Sequence, residues 1–277
     1  MVENVNNAGG AVVALRSMQT AREQLVASEK RLSSGLKVDN ARDDAVSFQA
    51  ASAMRGQTAS LRSVSLSLGR AEGVVDVALA AGEQISRLLG EMRGAAATAM
   101  AGDFTEDQRA AQNAAFQQQK AQLVQLVRNA TFDDANLLDG SNPNGVSFIA
   151  DADASQPIVL AGRNLLPGGA VVTLGPQNDL SSPSAAAQAF EQIGISLANV
   201  GQVLADMGDE SKKIGAQITF VSRLADVLAS GIGRMVDADL AEESALIQAL
   251  QVRQTLSAQA VSIANSAPRA LLSLFRG

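Results

Sequence analysis

From Val64 to Ala99 the apolar and small residues recur in steps of four and three. The series is Val64, Leu68, Ala71, Val75, Ala78, Gly82, Ile85, Leu89, Met92, Ala96 and Ala99. A period of 3.5 held over five heptads predicts one long helix across residues 45–101 with a left-handed coiled-coil seam on one face. Gly69, Gly73, Gly82, Gly90 and Gly94 fall in the same stretch. Each costs about 1 kcal/mol against Ala in a helix interior, so they are either tolerated at that cost or mark points of close backbone approach, the reading preferred by a small margin.

Shorter seams stand at both ends of the chain. Met18, Leu25 and Leu32 recur every seven positions, with Ala14 and Ala21 between them, and predict a helix over 8–32. Ser33, Ser34 and Gly35 end it, and Asp39, Asn40, Asp43 and Asp44 offer capping oxygens to the next helix. The last helix carries Leu246, Ala249, Leu256, Ala260, Ile263, Ala267, Ala270 and Leu274, with Leu271 beside them; Arg253 is the one charge in the stripe. Met18, Leu25, Leu32, Leu246, Leu256, Ile263, Leu271 and Leu274 are the expected surfaces for packing against the chain's own other end or against further copies. Val64, Leu68, Val75, Ile85, Leu89 and Met92 are the expected internal seam.

Between these lie further helices and one irregular stretch. Thr105 and Gln108 sit in capping-box positions and open a helix to about Ala130. Residues 131–184 are rich in Gly, Pro, Asn, Asp and Ser, with β-prone runs at 146–149, 158–160 and 171–174. Two small hairpins or a short meander are expected, leaning on the helices. Pro183 falls in the first turn of the next helix, whose apolar positions run from Phe190 to Leu228; Gly231-Ile-Gly233 is expected to loosen the chain. The predicted fold is mainly α: an elongated antiparallel helical bundle or coiled coil with a small β-hairpin region at one tip.

Composition narrows the function. There is no His and no Cys, which removes imidazole acid–base catalysis, thiol nucleophiles, disulfides and the usual zinc sites. Only 3% of residues are aromatic, and much of the 47% apolar share is Ala, which suits close helix packing more than a thick core. The net charge of −6 disfavours nucleic acid, and no apolar run reaches the 18 residues or more of a membrane-span candidate. The first basic residue is Arg16, so the beginning lacks the layout of a cleaved secretory signal. Carboxylate pairs at Asp43/Asp44, Asp133/Asp134, Asp237/Asp239 and Glu242/Glu243 read as caps and solvated charges. No phosphate loop, dinucleotide fingerprint or nucleophile elbow is present, so no enzyme and no cofactor are expected.

Four segments carry a family resemblance. Leu32, Ser33, Ser34 and Gly35, followed by Arg42, Asp43 and Asp44, resemble the N-terminal signature of bacterial flagellins. Phe132–Gly140 resembles that family's Leu-Leu-Asp-Gly turn. Arg234–Ala241, with Asp237 and Asp239, and the closing stretch with Asn265 and Pro268 resemble its C-terminal half. Val46-Ser-Phe48 departs from the family's usual Ala-Gly-Leu, and Leu240 stands for its common Tyr.

The resemblance implies a short flagellin without outer domains, a structural subunit that polymerises into the secreted, extracellular flagellar filament and serves motility. It implies a discontinuous inner-core domain of residues 1–40 and 234–277, and a second domain, 41–233, holding the β region at 131–184. It further implies homopolymer contacts with other copies or related flagellins, and encounters with the flagellar export apparatus, its chaperone, and hook-junction and cap proteins. A hook–filament junction protein and a monomeric helical adhesin are the alternatives.

Overall fold

The computed structural model describes residues 9–101 and 103–274, with side chains over 12–101 and 103–263. Five helices are found among them: α1 (Gly9–Ser34), α2 (Ala45–Ala99), α3 (Glu106–Asn129), α4 (Pro183–Val236) and α5 (Leu240–Leu274). Four short strands, β1 (Thr131–Phe132), β2 (Ala135–Asn136), β3 (Val146–Phe148) and β4 (Ile158–Leu160), form two antiparallel two-stranded sheets. The structure divides into two compact units, Met1–Gly56 with Val227–Gly277, and Gln57–Asp226.

The second unit holds the main core. All eleven seam positions of α2 from Val64 to Ala99 are buried, including Leu68, Ile85, Leu89 and Met92 at 0% exposure. α4 supplies Ile193, Val200, Met207 and Ile214 to the same core, and α3 supplies Phe116, Leu123 and Val127. Gly82 meets Leu204, and Arg93 lies over the Phe190 ring at 4.4 Å. The order of these contacts reverses between the helices, so α2 and α4 run antiparallel. The Thr105–Gln108 capping box opens α3 as its spacing predicts.

The glycine expectation needs correction. A Cβ on Gly73 would meet the Phe132 ring and one on Gly82 the Leu204 side chain, so side chains, not backbones, fill those two places. A Cβ on Gly69, Gly90 or Gly94 would meet nothing within 4 Å.

The β region is also built differently from its sequence pattern. β1 and β2 are joined by Asp133 and Asp134 at φ 50° and 62°, the two left-handed residues of a primed hairpin turn. Strands of two residues are too short for alternation to reveal. β3 and β4 pair as their β-prone runs suggest. The run 171–174 forms no strand. Its backbone N–H at Thr173 donates to Ser196 Oγ at 3.0 Å, and Asn199 donates to the Val171 carbonyl at 3.1 Å. Val172 and Leu174 are fully buried all the same. The alternating pattern is satisfied by the flank of α4 instead of by a partner strand.

The first unit contains the ends of the chain. α4 continues through Gly231-Ile-Gly233 to Val236, against the expected loosening. Ile232 and Val236 pack in a small core with Val38, Ala51 and Phe48. Gly233 leaves room for the Asp237 carboxylate, which a Cβ would approach to 2.7 Å. Packing on both sides thus outweighs the helix-weakening effect of two glycines.

Candidate functional site

The junction between the two terminal halves lies where α1 and α4 end. Gly35 takes φ +73°, a left-handed conformation that glycine reaches without a Cβ penalty, and its N–H closes the last turn of α1 on the Arg31 carbonyl at 2.8 Å. The chain then runs extended beside the segment leaving α4. Lys37 N–H donates to the Val236 carbonyl at 2.8 Å, Ala238 N–H donates to the Gly35 carbonyl at 2.9 Å, and Leu36 and Asp237 form an antiparallel bridge. Lys37 Nζ donates to the Arg234 carbonyl at 2.9 Å, placing a cation at the negative end of α4.

The signature acids organise the turn between α1 and α2. Asp43 accepts the backbone N–H groups of Asp39 and Asn40 at 3.1 and 3.2 Å. Lys30 reaches from α1 to Asp39 at 3.1 Å and to Asp43 at 3.7 Å. The amide of Asp39, before the other contacts, holds the Asp43 carboxyl below the ordinary aspartate range. The hydrogen bond to Asp39 raises the Lys30 ammonium. Asp44 caps α2, accepting from the Val46 and Ser47 amides and, at 2.6 Å, from the Ser47 hydroxyl, which lowers its pKa most. Asp239 caps α5 in the same way through the amides of Ala241 and Glu242. The departure from the family pattern at Val46-Ser-Phe48 therefore has a local role. Ser47 braces the cap and Phe48 packs on Val38 and Val236, while Val46 stands 78% exposed.

Beyond the junction α1 and α5 pack together. Arg31 meets Glu243 at 3.2 Å and Ser17 meets Ser257 at 3.4 Å, two contacts in one antiparallel register. The inner face of α5 carries Glu243, Leu250 and Ser257, all buried, and that of α1 carries Ala21 and Ser28. This is not the face marked by the apolar stripe of α5. Leu246, Leu256 and Ile263 lie on the outside, 41%, 58% and 69% exposed, and Leu32 on α1 is 39% exposed. Met18 and Leu25 are half-buried. The side chains of Leu271, Leu274, Asn265 and Pro268 lie outside the described residues. Val12, Val13, Leu15, Val26 and Val252 add to the exposed apolar surface. On α1 the predicted stripe does face inward, with Ala21 buried and Ala14, Met18 and Leu25 half-buried; the inner face of α5 escapes a sequence reading because Glu243, Gln254 and Ser257 share it with Ile247, Leu250 and Val261.

Among the described residues no helix is long and apolar enough to cross a membrane, and no group of three or more metal-ligating side chains converges. The chemistry of the site is that of packing: capped helices, a backbone clasp and two apolar outer stripes.

The bacterial flagellin N-terminal helical region matches residues 5–143, and the bacterial flagellin C-terminal helical region matches residues 190–275. The chain belongs to the bacterial flagellin family. It is 41% identical to flagellin FljJ of Caulobacter vibrioides, with the whole of both chains covered. It is 29% identical to a Brucella melitensis flagellin over 96% of this chain and 97% of that one. A crystal structure of Bacillus cereus flagellin covers 55% of this chain and 86% of that chain, at 17% identity and a TM-score of 0.48. As a flagellin the chain is a structural subunit of the secreted, extracellular flagellar filament and serves motility. The two matched regions meet the clasp from opposite sides, Gly35–Val38 in the first and Val236–Ala238 in the second.

Proposed function

We propose that this flagellin enters its filament through the outer faces of α1 and α5. Residues 1–40 and 234–277 form the inner-core domain, and 41–233 form the second domain. The observation that carries this is the exposed apolar surface on both helices. Leu32, Leu246, Leu256 and Ile263, with Val13, Val26 and Val252, stand 39–69% exposed. Large exposed apolar patches mark interaction surfaces, and neighbouring copies offer the same surfaces in return.

In this reading Leu271 and Leu274 join the same packing surfaces, while Met18 and Leu25, half-buried on the face of Ala21, pack between α1 and α5. Val64, Leu68, Val75, Ile85, Leu89 and Met92 hold the subunit's own core. The pair α1–α5 is thin, and ordering each residue costs ~1–2 kcal/mol of backbone entropy, so its final fold is completed by neighbours. The function requires no catalytic residue and no cofactor, consistent with a structural family. The export apparatus, its chaperone, and the hook-junction and cap proteins are the further partners, by family resemblance.

The test is seeded polymerisation of purified protein followed by electron microscopy. The parent chain should give long hollow filaments, and Leu256→Asp/Ile263→Asp should give none while residues 57–226 stay folded. Normal filaments from the double variant would overturn the assignment.

A further inference from the structure

In the second unit, a groove of about 440 Å³ runs between α3 and the loop 166–176. Gln117, Lys120, Val124 and Arg128 line it from α3, and Leu166 and Pro176 line it from the loop; no carboxylate does. Lys120 is 8% exposed. Two of its three N–H groups donate to the Pro176 and Asn178 carbonyls, both at 3.0 Å, and the third has no partner among the described residues. Burial holds its pKa below the ordinary lysine value against the opposing pull of Asp179, whose carboxylate accepts from the Ser181 N–H and hydroxyl. Arg128 is exposed and its guanidinium forms no ion pair among the described residues. The groove thus sets two cations about 12 Å apart along a largely apolar floor.

Its complement lies on the same unit. Asp103, Glu106 and Asp107 are exposed around the half-buried Phe104, and Met100 stands 43% exposed beside them. Arg109 braces this segment. Its guanidinium donates to the Ala99 and Ala101 carbonyls at 2.9 and 3.1 Å and lies over the Phe104 ring at 5.6 Å. The three acids form no ion pair among the described residues. Acidic and apolar side chains are therefore presented together on a fixed backbone.

Along α3, at 1.5 Å per residue, Glu106 stands about 27 Å before Val124, so a chain's own acids cannot enter its own groove. A second copy can supply them. Two different patches that meet between copies make a heterologous contact, and repetition of such a contact builds an open helical polymer.

We infer that the groove beside α3 receives the start of α3 from a second copy, Glu106 and Asp107 meeting Arg128 and Lys120 while Met100 and Phe104 cover Val124 and Leu166. This rests on the polymerisation reading above and adds a contact made by the second unit of each copy.

The test measures seeded elongation of full-length Arg128→Glu, of Glu106→Arg/Asp107→Arg, and of the chain carrying all three changes. Either change alone sets like charges face to face and should slow elongation at least about tenfold, and the combination should return it to within about threefold of the parent. Parent-like elongation of either variant, or slowing that the combination does not relieve, overturns the contact. Amide exchange across 57–226 reports whether each monomer is folded. If one fails there, the decision passes to cross-linking. The chain has no cysteine, so Met100→Cys/Ala121→Cys carries the only thiols, the second on the groove's lining. In filaments a short bismaleimide should join this variant into a ladder of covalent oligomers, and in dilute monomers into none. Filaments without a ladder overturn the contact and leave the α1 and α5 faces untouched. Filaments from Leu256→Asp/Ile263→Asp would count against those faces and leave the ladder standing.

Discussion

Lys37 donates its backbone N–H to the carbonyl of Val236 at 2.8 Å, joining the segment that leaves α1 to the last residue of α4. With the Leu36–Asp237 bridge and the Ala238–Gly35 bond, it makes a clasp of main-chain atoms between the two halves of the molecule's first unit. Because the clasp is backbone, its dependence on sequence is indirect, through the residues that let the chain take this path.

Gly35 is the first such residue. A Cβ there would meet nothing within 4 Å, so the cost of a side chain is conformational only. Gly35→Ala should destabilise the clasp by about 1 kcal/mol, the cost of holding a non-glycine residue in the left-handed region. Hydrogen exchange at Lys37 and Ala238 in assembled filaments should quicken by about fivefold. Unchanged exchange would show that the clasp does not depend on that conformation.

Buried and outward-facing positions should separate stability from assembly. Phe116 is fully buried in the second unit, and Phe116→Ala should lower its unfolding free energy by about 3–5 kcal/mol in urea titrations followed by circular dichroism. Leu256 is 58% exposed, and Leu256→Ala should change that free energy by less than about 0.5 kcal/mol while reducing seeded filament growth. A large urea shift for Leu256→Ala would place that side chain in a monomer core.

The turn after α1 should be sensitive to acid. Asp43 and Asp44 have folded pKa values below the ordinary aspartate value, so their contribution is present above about pH 4 and is lost as the pH falls through the depressed values. Lys30 has the opposite sign, its contribution being present below its ordinary value and lost as the pH rises through the elevated one. Exchange at Asp39 and Asn40, whose amides Asp43 accepts, should therefore quicken below about pH 4, beyond the intrinsic pH dependence of exchange. In Asp43→Asn it should be quick at neutral pH and show no such acid step. An identical pH profile in the variant would remove Asp43 as the cause.

Two glycines should respond in opposite directions. Gly94 lies in α2 with open space around it, and Gly94→Ala should stabilise the second unit by about 1 kcal/mol. A Cβ on Gly162 would collide with the Asn142 carbonyl oxygen, a backbone atom that cannot rotate away. Gly162→Ala should cost about 1–3 kcal/mol through forced displacement of the loop. Urea titration of the two variants against the parent measures both.

The reach of the sequence differs between elements. The Val64–Ala99 seam could be read residue by residue, because a 3.5 period over five heptads leaves one face available for burial and every position on it is buried. The capping box at Thr105 was equally legible, and Asp44 stood among four capping candidates, since a cap works within three residues of itself; that Asp239 caps α5 was not singled out from the other paired carboxylates. The run 171–174 shows where legibility ends. Its alternation announces burial of Val172 and Leu174 but does not say whether a strand or a helix flank receives the backbone.

α5 marks the same boundary at the candidate site. Its apolar stripe through Leu246, Leu256 and Ile263 shows in the sequence, yet the helix turns Glu243, Leu250 and Ser257 toward α1. The sequence by itself determined the helices, their caps, the core seam and the family signature, all of which depend on local spacing. Only the tertiary structure decided which face of α5 meets α1, that Arg31 finds Glu243, and that Lys37 lies against Val236. Periodicity records which residues share a face. The partner of that face is fixed by contacts between distant segments, and those follow from the summed energy of packing rather than from any single stretch of chain.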